Sequence, residues 1–271
     1  MILAVLIILI GILIIFLIYP GKCTEEQKKM LVGINHAHRG LHSKDKSIPE
    51  NSISAFKLAV EKGYGIELDV ILSKDGEVMV FHDDTLNRVC GISGKFEDYT
   101  LYELREMKLC NSNEKIPMLH EVLEIVNGKV PIIIEIKSGN RNKELCEKVL
   151  KCIREYLGPY CIESFNPFIV AWFRKNAPDI MRGQLTMNRK DYDNVPKWMG
   201  IVMGNALANV ISRPQFIAYG TSSKSFLIKT SERLGAMKVI WTINDDVDYK
   251  KYEEENHAVI FEFYEPKARY K

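Results

Sequence analysis

The chain has 271 residues, with 37 Lys and Arg against 35 Asp and Glu, and a formal net charge of +2. A balance that close to neutral, without a basic stripe interleaved with aromatics, excludes nucleic acid as an expected partner. No Gly/Ser/Pro-rich linker, low-complexity tract or internal repeat divides the chain, so the part beyond the N-terminus is read as one large domain.

Residues 1–19 differ in kind from the rest: they carry no charged side chain and are almost wholly Leu, Ile, Val and Phe. As a helix they would extend about 28 Å, enough to cross a hydrocarbon core. The expectation is therefore one N-terminal transmembrane helix over 1–19, then a juxtamembrane segment over 20–33. The other reading, a cleaved secretory signal, meets an apolar run that is too long, with no basic residue before it and no small-x-small site after it. Lys22 in front of Cys23 also spoils a lipobox. Lys22, Lys28 and Lys29 all follow the run. The positive-inside bias thus predicts a single-pass protein of the cell membrane with its catalytic bulk in the cytosol. Cys90, Cys110, Cys146, Cys152 and Cys161 show no metal-ligand spacing and suit a reducing compartment.

From residue 34 onward short apolar strands alternate with helical stretches. Strands are expected at 34–38, 65–72 and 77–81, with a helix over 52–61 between the first two and an Asp75-Gly76 turn before the third. A helix over 119–126 leads to the β-prone run PIIIEIK at 131–137. Then come a helix over 143–156, a strand at 160–164 and a helix over 167–176 that opens on proline. Further strands are expected at 181–186, 216–219, 238–243 and 259–263, whereas 188–209 gives only a broad reading. This βα alternation predicts an α/β fold, a closed parallel (β/α)8 TIM barrel over 34–271. No glycine-rich phosphate loop of the GxGxxG or GxxxxGK type follows a strand, which argues against a nucleotide-binding fold.

Charged residues inside these strands carry the functional reading. Glu67 and Asp69 are two apart, so both carboxylates share one face, with Ile66, Leu68 and Val70 on the other. In PIIIEIK, Ile133, Glu135 and Lys137 share one side and Ile132, Ile134 and Ile136 the other. A parallel barrel strand is covered on both faces, so these charges do not simply meet water. Three converging carboxylates call for a cation, and oxygen-only donors suit Mg²⁺ or Ca²⁺. The blander account is an ion pair between Lys137 and a carboxylate with no metal, but one lysine does not neutralise three acids. His38 and His82 end the first and third strands, where barrel active sites lie, and imidazoles exchange protons near neutral pH. Taken singly, either histidine is more often structural. Arg39 offers a bidentate donor for phosphate.

At these residues the chain resembles the glycerophosphodiester phosphodiesterase family, of the phospholipase C-like phosphodiesterase superfamily. The resemblance rests on HRG at 38–40, PENSISAF at 49–56, IELDVILSKDGEVMVFHDDTLNR at 66–88 and IPMLHEVL at 116–123. It continues with EIK at 135–137, SFNP at 164–167 and WTIND at 241–245. It implies a TIM barrel in which Glu67, Asp69 and Glu135 bind one divalent cation, with His38 and His82 as the acid/base pair. It further implies that Arg39 and Lys137 face the phosphate, that Glu50 supports them and that Phe165 and Trp241 line the glycerol end. Simpler roles stay open for some: Glu50-Asn51 as a helix start, and Trp241 as barrel core.

Two departures from the family pattern stand out. His36 occupies a usually apolar position, either as an extra pocket residue or as a satisfied polar group in the barrel floor. The last strand reads VIFEFYEP, where the family commonly has a glycine and then Thr-Asp, so either Glu262 replaces that acid or the barrel closes differently. The implied reaction is metal-dependent hydrolysis of glycerophosphodiesters to glycerol 3-phosphate and an alcohol. The attacking group would be water or the glycerol 2-hydroxyl. The alternatives are lysophospholipase D-type cleavage of lysophospholipids at the membrane, and a non-catalytic tethered binding module.

Overall fold

The computed structural model describes residues 1–192 and 195–270. Eight parallel strands close into a barrel: β1 (Ile34–Ala37), β2 (Gly65–Leu72), β4 (Ile132–Ile136), β5 (Tyr160–Ser164), β6 (Arg182–Thr186), β7 (Phe216–Gly220), β8 (Met237–Ile243) and β9 (Ala258–Phe261). β1 pairs with both β9 and β2 and so makes the seam. β3 (Val78–Val80) is not a stave; it runs antiparallel to β2, with Leu72 opposite Val78 and Val70 opposite Val80.

Period-2 alternation divides each stave. Ile66, Leu68, Val70, Ile132, Ile134 and Ile136 point outward into one apolar layer beneath the surrounding helices. The helix Leu119–Val126 buries Leu119, Val122, Leu123 and Val126 against it, the i, i+3, i+4, i+7 stripe of a core-facing helix. Each such side chain contributes roughly 1.5–3 kcal/mol. Ile133, Cys161, Leu185, Phe216, Ala218 and Ile260 fill the inside, where Leu31 joins them. Residues 20–33 thus run across the base of the barrel: Gly21 donates to the Pro214 carbonyl, and Thr24 and Gln27 form a capping box on Glu25–Lys28.

The N-terminal helix corrects the membrane expectation. It spans Ile2–Ile18, 17 residues, and no helix among the described residues is long and apolar enough to cross a membrane. At 1.5 Å per residue it extends about 26 Å, less than a typical core of about 30 Å. Its last turn is also committed to protein. Ile18 is fully buried, and its carbonyl accepts from Asn209 Nδ2 and Ser231 Oγ. Arg213 Nη1 donates to the carbonyls of Phe16 and Tyr19. Apolar composition alone suggested a span; the chain instead docks the end of this helix on the barrel. The single-pass topology, the membrane partner and the cell-membrane location expected from it are withdrawn.

Elsewhere the expected elements lie within a few residues of the observed ones. Seven α-helices among the described residues went unread, Lys197–Gly204, Phe226–Arg233 and Tyr249–Glu255 being the longest. Lys197–Gly204 lies in the broadly read 188–209 region, of which 193 and 194 fall outside the described residues.

Candidate active site

The carboxylates gather at the C-terminal mouth. Asp69 is in register with Glu135, so the two acids sit side by side on adjacent staves, with Glu67 one layer below Asp69. One oxygen from each of Glu67, Asp69 and Glu135 can be chosen so that all three lie within 4.8 Å of one another. All three residues are buried. Lys137 Nζ lies 2.9 Å from Glu135 Oε1 and 3.4 Å from Asp69 Oδ1. Glu67 accepts a backbone N–H from Arg39 at 3.0 Å and has no ion pair among the described residues. The lysine therefore accounts for part of the charge only.

The electrostatics follow. Burial, reinforced by Asp69 and Glu135, raises the Glu67 carboxyl well above its usual range. Burial also raises Glu135, against the pull of Lys137. Asp69 goes the other way: burial is outweighed by Lys137, His82 and Arg39 and by a hydrogen bond from Asn51 Nδ2 at 2.9 Å. Three oxygen donors with surplus negative charge in a desolvated mouth fit a hard divalent cation. These residues could hold one.

Each histidine is oriented by a carboxylate through Nδ1. His38 Nδ1 is 2.9 Å from Glu262 Oε2, and His82 Nδ1 is 2.6 Å from Asp83 Oδ1. Burial would raise Glu262, but the bond from His38 and the nearby imidazoles hold it at about 2. Asp83 too lies below the usual carboxylate range, since its bonds to His82 and Arg88 outweigh burial. Both acids are ionised and can only accept, so each Nδ1 carries a hydrogen and each Nε2 is left for the site. Burial lowers the His38 pKa despite Glu262, which keeps the ring neutral and Nε2 unprotonated at neutral pH.

His82 reaches the mouth by a route the sequence did not suggest. It ends no barrel stave. β2 overshoots the rim, turns at Asp75-Gly76 and descends as β3, and the Phe81 amide then bonds to the Asp69 carbonyl. The hairpin lowers His82 to the level of the carboxylates, close enough for its charge to act on Asp69 and Glu135.

Arg39 is held at the mouth by Glu50 (Nη1–Oε1 2.7 Å) and faces Asp69 (Nε–Oδ2 3.4 Å). Its φ is +52° and that of Gly40 is +78°; a Cβ on Gly40 would lie 2.9 Å from that of Ala55, so only glycine fits. Glu50 also takes two bonds from Arg88. The helix Ile53–Glu61 is capped by Ser52, whose side chain accepts from the Ala55 amide, so neither Glu50 nor Asn51 serves as the cap. Phe165 and Trp241 meet edge to face, 5.6 Å between centroids, half-buried over the barrel interior, and Trp241 Nε1 is a buried donor without a partner among the described residues. Both readings of Trp241, pocket wall and core, thus describe part of its environment.

Four residues of this network were missed or left unresolved in the sequence. Asn51 and Arg88 fix Asp69 and Glu50, and Glu262 orients His38. The fourth, Glu163, is fully buried, in register with Glu135 on β5, and burial plus the neighbouring acids raise it well above the usual range. His36 lies in the barrel floor, its ring 2.4 Å from where a Cβ on Gly65 would stand. Neither ring nitrogen has a hydrogen-bond partner among the described residues, and burial lowers its pKa to about 4, so it is a neutral rather than a satisfied polar group.

Buried acids and carboxylate-oriented imidazoles at the mouth of a parallel barrel define a TIM-barrel protein with a polar site at the C-terminal ends of its strands. The glycerophosphoryl diester phosphodiesterase family model matches residues 38–265, and the chain belongs to that family. It is 40% identical over 160 residues to a glycerophosphodiester phosphodiesterase of Caldanaerobacter subterraneus, covering 55% of this chain and 65% of that protein. A human lysophospholipase D is 30% identical over 151 residues, covering 51% of this chain and 46% of that protein. The chain spans less than two thirds of the length of these curated relatives. Among solved structures, the glycerophosphodiester phosphodiesterase of Thermotoga maritima superposes with a TM-score of 0.63 at 30% identity, covering 84% of this chain and 93% of that one. A phosphodiesterase of Oleispira antarctica, solved with the product sn-glycerol-3-phosphate, gives 0.71 at 24% identity, covering 87% and 94%.

Proposed function

We propose that this protein hydrolyses glycerophosphodiesters to glycerol 3-phosphate and an alcohol, using a divalent cation, Mg²⁺ or Ca²⁺, held by Glu67, Asp69 and Glu135. The observation that carries the reading is the gathering of those three buried carboxylates, with Lys137 on Glu135 and Asp69 and no ion-pair partner for Glu67 among the described residues, beside two Nδ1-anchored imidazoles. When bound, such an ion polarises a phosphoryl oxygen and acidifies a hydroxyl. Arg39 and Lys137 orient the phosphate by charge, Arg39 being kept rigid by Glu50. Neutral His38 accepts the proton of the attacking hydroxyl at Nε2 as the new P–O bond forms. His82 donates a proton to the alcohol oxygen as the old P–O bond breaks. Phe165 and Trp241 form the apolar wall for the glycerol carbons.

Turnover should be measured with and without chelator on a panel that includes glycerophosphocholine and lysophosphatidylcholine. Release of glycerol 3-phosphate, lost with chelator and restored by Mg²⁺ or Ca²⁺, supports the reading. Cleavage of lysophosphatidylcholine in preference would move the substrate to lysophospholipids, as in the lysophospholipase D relatives. His38→Ala and His82→Ala should each lower turnover by about 10²-fold or more. Near-normal turnover in both variants would remove the two-histidine scheme.

A further inference from the structure

Beside the carboxylate cluster lies a second group of donors of different chemistry. His42, in the turn that follows β1, brings Nε2 to 3.6 Å from Glu262 Oε2, the same oxygen that His38 Nδ1 approaches at 2.9 Å. The three ligand atoms lie within 4.8 Å of one another. The His42 side chain is only 9% exposed. It is held by edge-to-face packing on Phe263, 5.0 Å between centroids, and by its backbone bond to the Gly40 carbonyl. Its Nε2 is buried with no hydrogen-bond partner among the described residues. A buried, unsatisfied imidazole nitrogen is costly, and 3.6 Å to the carboxylate is too long for a hydrogen bond to relieve it.

Two imidazole nitrogens and one carboxylate oxygen form the donor set of a borderline-soft divalent ion rather than of Mg²⁺ or Ca²⁺. Around a tetrahedral Zn²⁺ with bonds of about 2.0–2.1 Å, neighbouring donors stand about 3.3 Å apart. The separations of 2.9 and 3.6 Å bracket that spacing. Glu262 and His38 are about one-fifth exposed on their side chains, which leaves room for a water as fourth ligand.

We propose that His38, His42 and Glu262 form a second, inhibitory metal site for Zn²⁺ or an ion of its class. Coordination through Nδ1 of His38 displaces the hydrogen that now bonds to Glu262, and that proton moves to Nε2. The ring stays neutral overall, but Nε2 then carries the hydrogen and has no lone pair for the proton of the attacking hydroxyl. The switch rests on the role proposed above for His38; binding of the ion does not.

The test uses the full chain in saturating Mg²⁺, titrated with Co²⁺ as a spectroscopic substitute and separately with Zn²⁺ in the turnover assay. Expected are visible absorption bands of tetrahedral intensity saturating at one Co²⁺ per chain, and Zn²⁺ inhibition that excess Mg²⁺ does not reverse. His42→Ala and His42→Gln should both lose the bands and weaken Zn²⁺ inhibition by more than the roughly 10–100-fold that loss of a supporting residue costs at a metal site. Turnover in the absence of zinc should be kept, which also shows that the variants fold. Glu262→Gln should lose the bands as well. Bands that survive in both His42 variants, or that vanish in Glu135→Ala while surviving in those, overturn the site. Co²⁺ bound as expected but with Zn²⁺ leaving turnover untouched overturns the switch. Absence of diesterase activity on every substrate would refute the proposed function and leave the Co²⁺ result standing.

Discussion

His38 Nδ1 and Glu262 Oε2, 2.9 Å apart, join the first stave of the barrel to the residue just after the last. The carboxylate fixes which ring nitrogen carries the hydrogen and therefore which one is left for the mouth. Glu262→Gln presents an amide that can donate as well as accept, so the tautomer is no longer dictated. Without added zinc, kcat should fall between about tenfold and the 10²-fold or more expected for loss of the histidine itself. KM should change little, because Glu262 orients a proton carrier rather than holding phosphate. An equal fall in kcat with a much larger rise in KM would place Glu262 in substrate binding instead.

Ion binding should also be visible without turnover. The three carboxylates repel one another when no cation is present, and burial has raised Glu67 and Glu135 accordingly. Mg²⁺ or Ca²⁺ at about a hundred times its Kd should stabilise the fold by about 2.7 kcal/mol. For a chain of this size that is a Tm rise of about 5–10 °C. Glu67→Gln should remove most of the rise while leaving the chelated protein no less stable than wild type. Thermal melts in chelator and in each ion check this, and a Tm indifferent to both ions would count against the site.

Glu50 sets an acid limit on stability. Its pKa falls from 4.5 to about 2 because bonds from Arg88 and the charge of Arg39 outweigh burial. The folded state therefore holds fewer protons than the unfolded state between those values. Its contribution is complete above about pH 4.5 and lost as pH falls through about 2. The shift corresponds to a contribution on the order of 3 kcal/mol. In urea melts at pH 7, 4.5, 3 and 2, wild type should exceed Glu50→Gln at the higher values and the gap should close toward pH 2. A gap constant across that range would mean that the carboxylate charge plays no part.

The docking of the N-terminal helix depends on few contacts. Removing the two bonds from Arg213 to the carbonyls of Phe16 and Tyr19 should cost about 1 kcal/mol each. Arg213→Ala should release residues 1–19 to limited proteolysis sooner than in wild type, with turnover unchanged because the docked last turn bonds to Asn209, Arg213 and Ser231, which precede β7 and β8 and so stand away from the mouth. Equal cleavage rates would show that the apolar contacts of Ile18 suffice.

Much of this was legible in the sequence, and the limits have physical causes. The period-2 placement of Glu67, Asp69 and Glu135 among isoleucines located the acidic cluster, because alternation survives whatever surrounds a strand. His82 was found for a reason that does not hold. It was read as ending a stave, whereas the antiparallel pairing of β3 delivers it. Glu163 shows the same alternation as Glu135, but its importance depends on which strand becomes the neighbour of β4, and that is a matter of register. Tyr249–Glu255 buries no residue of its own, so its sequence shows no apolar stripe to read. The run at 1–19 misled because hydrophobicity alone does not distinguish a helix that crosses lipid from one whose final turn is bonded to the barrel.

The seam where β1 meets β9 has a consequence for synthesis. A ribosome makes His38 more than two hundred residues before Glu262. An emerging chain that has already arranged its acidic trio on β2 and β4 still lacks the partner that aligns this imidazole. The imidazole is thus aligned only when the final stave locks against the first.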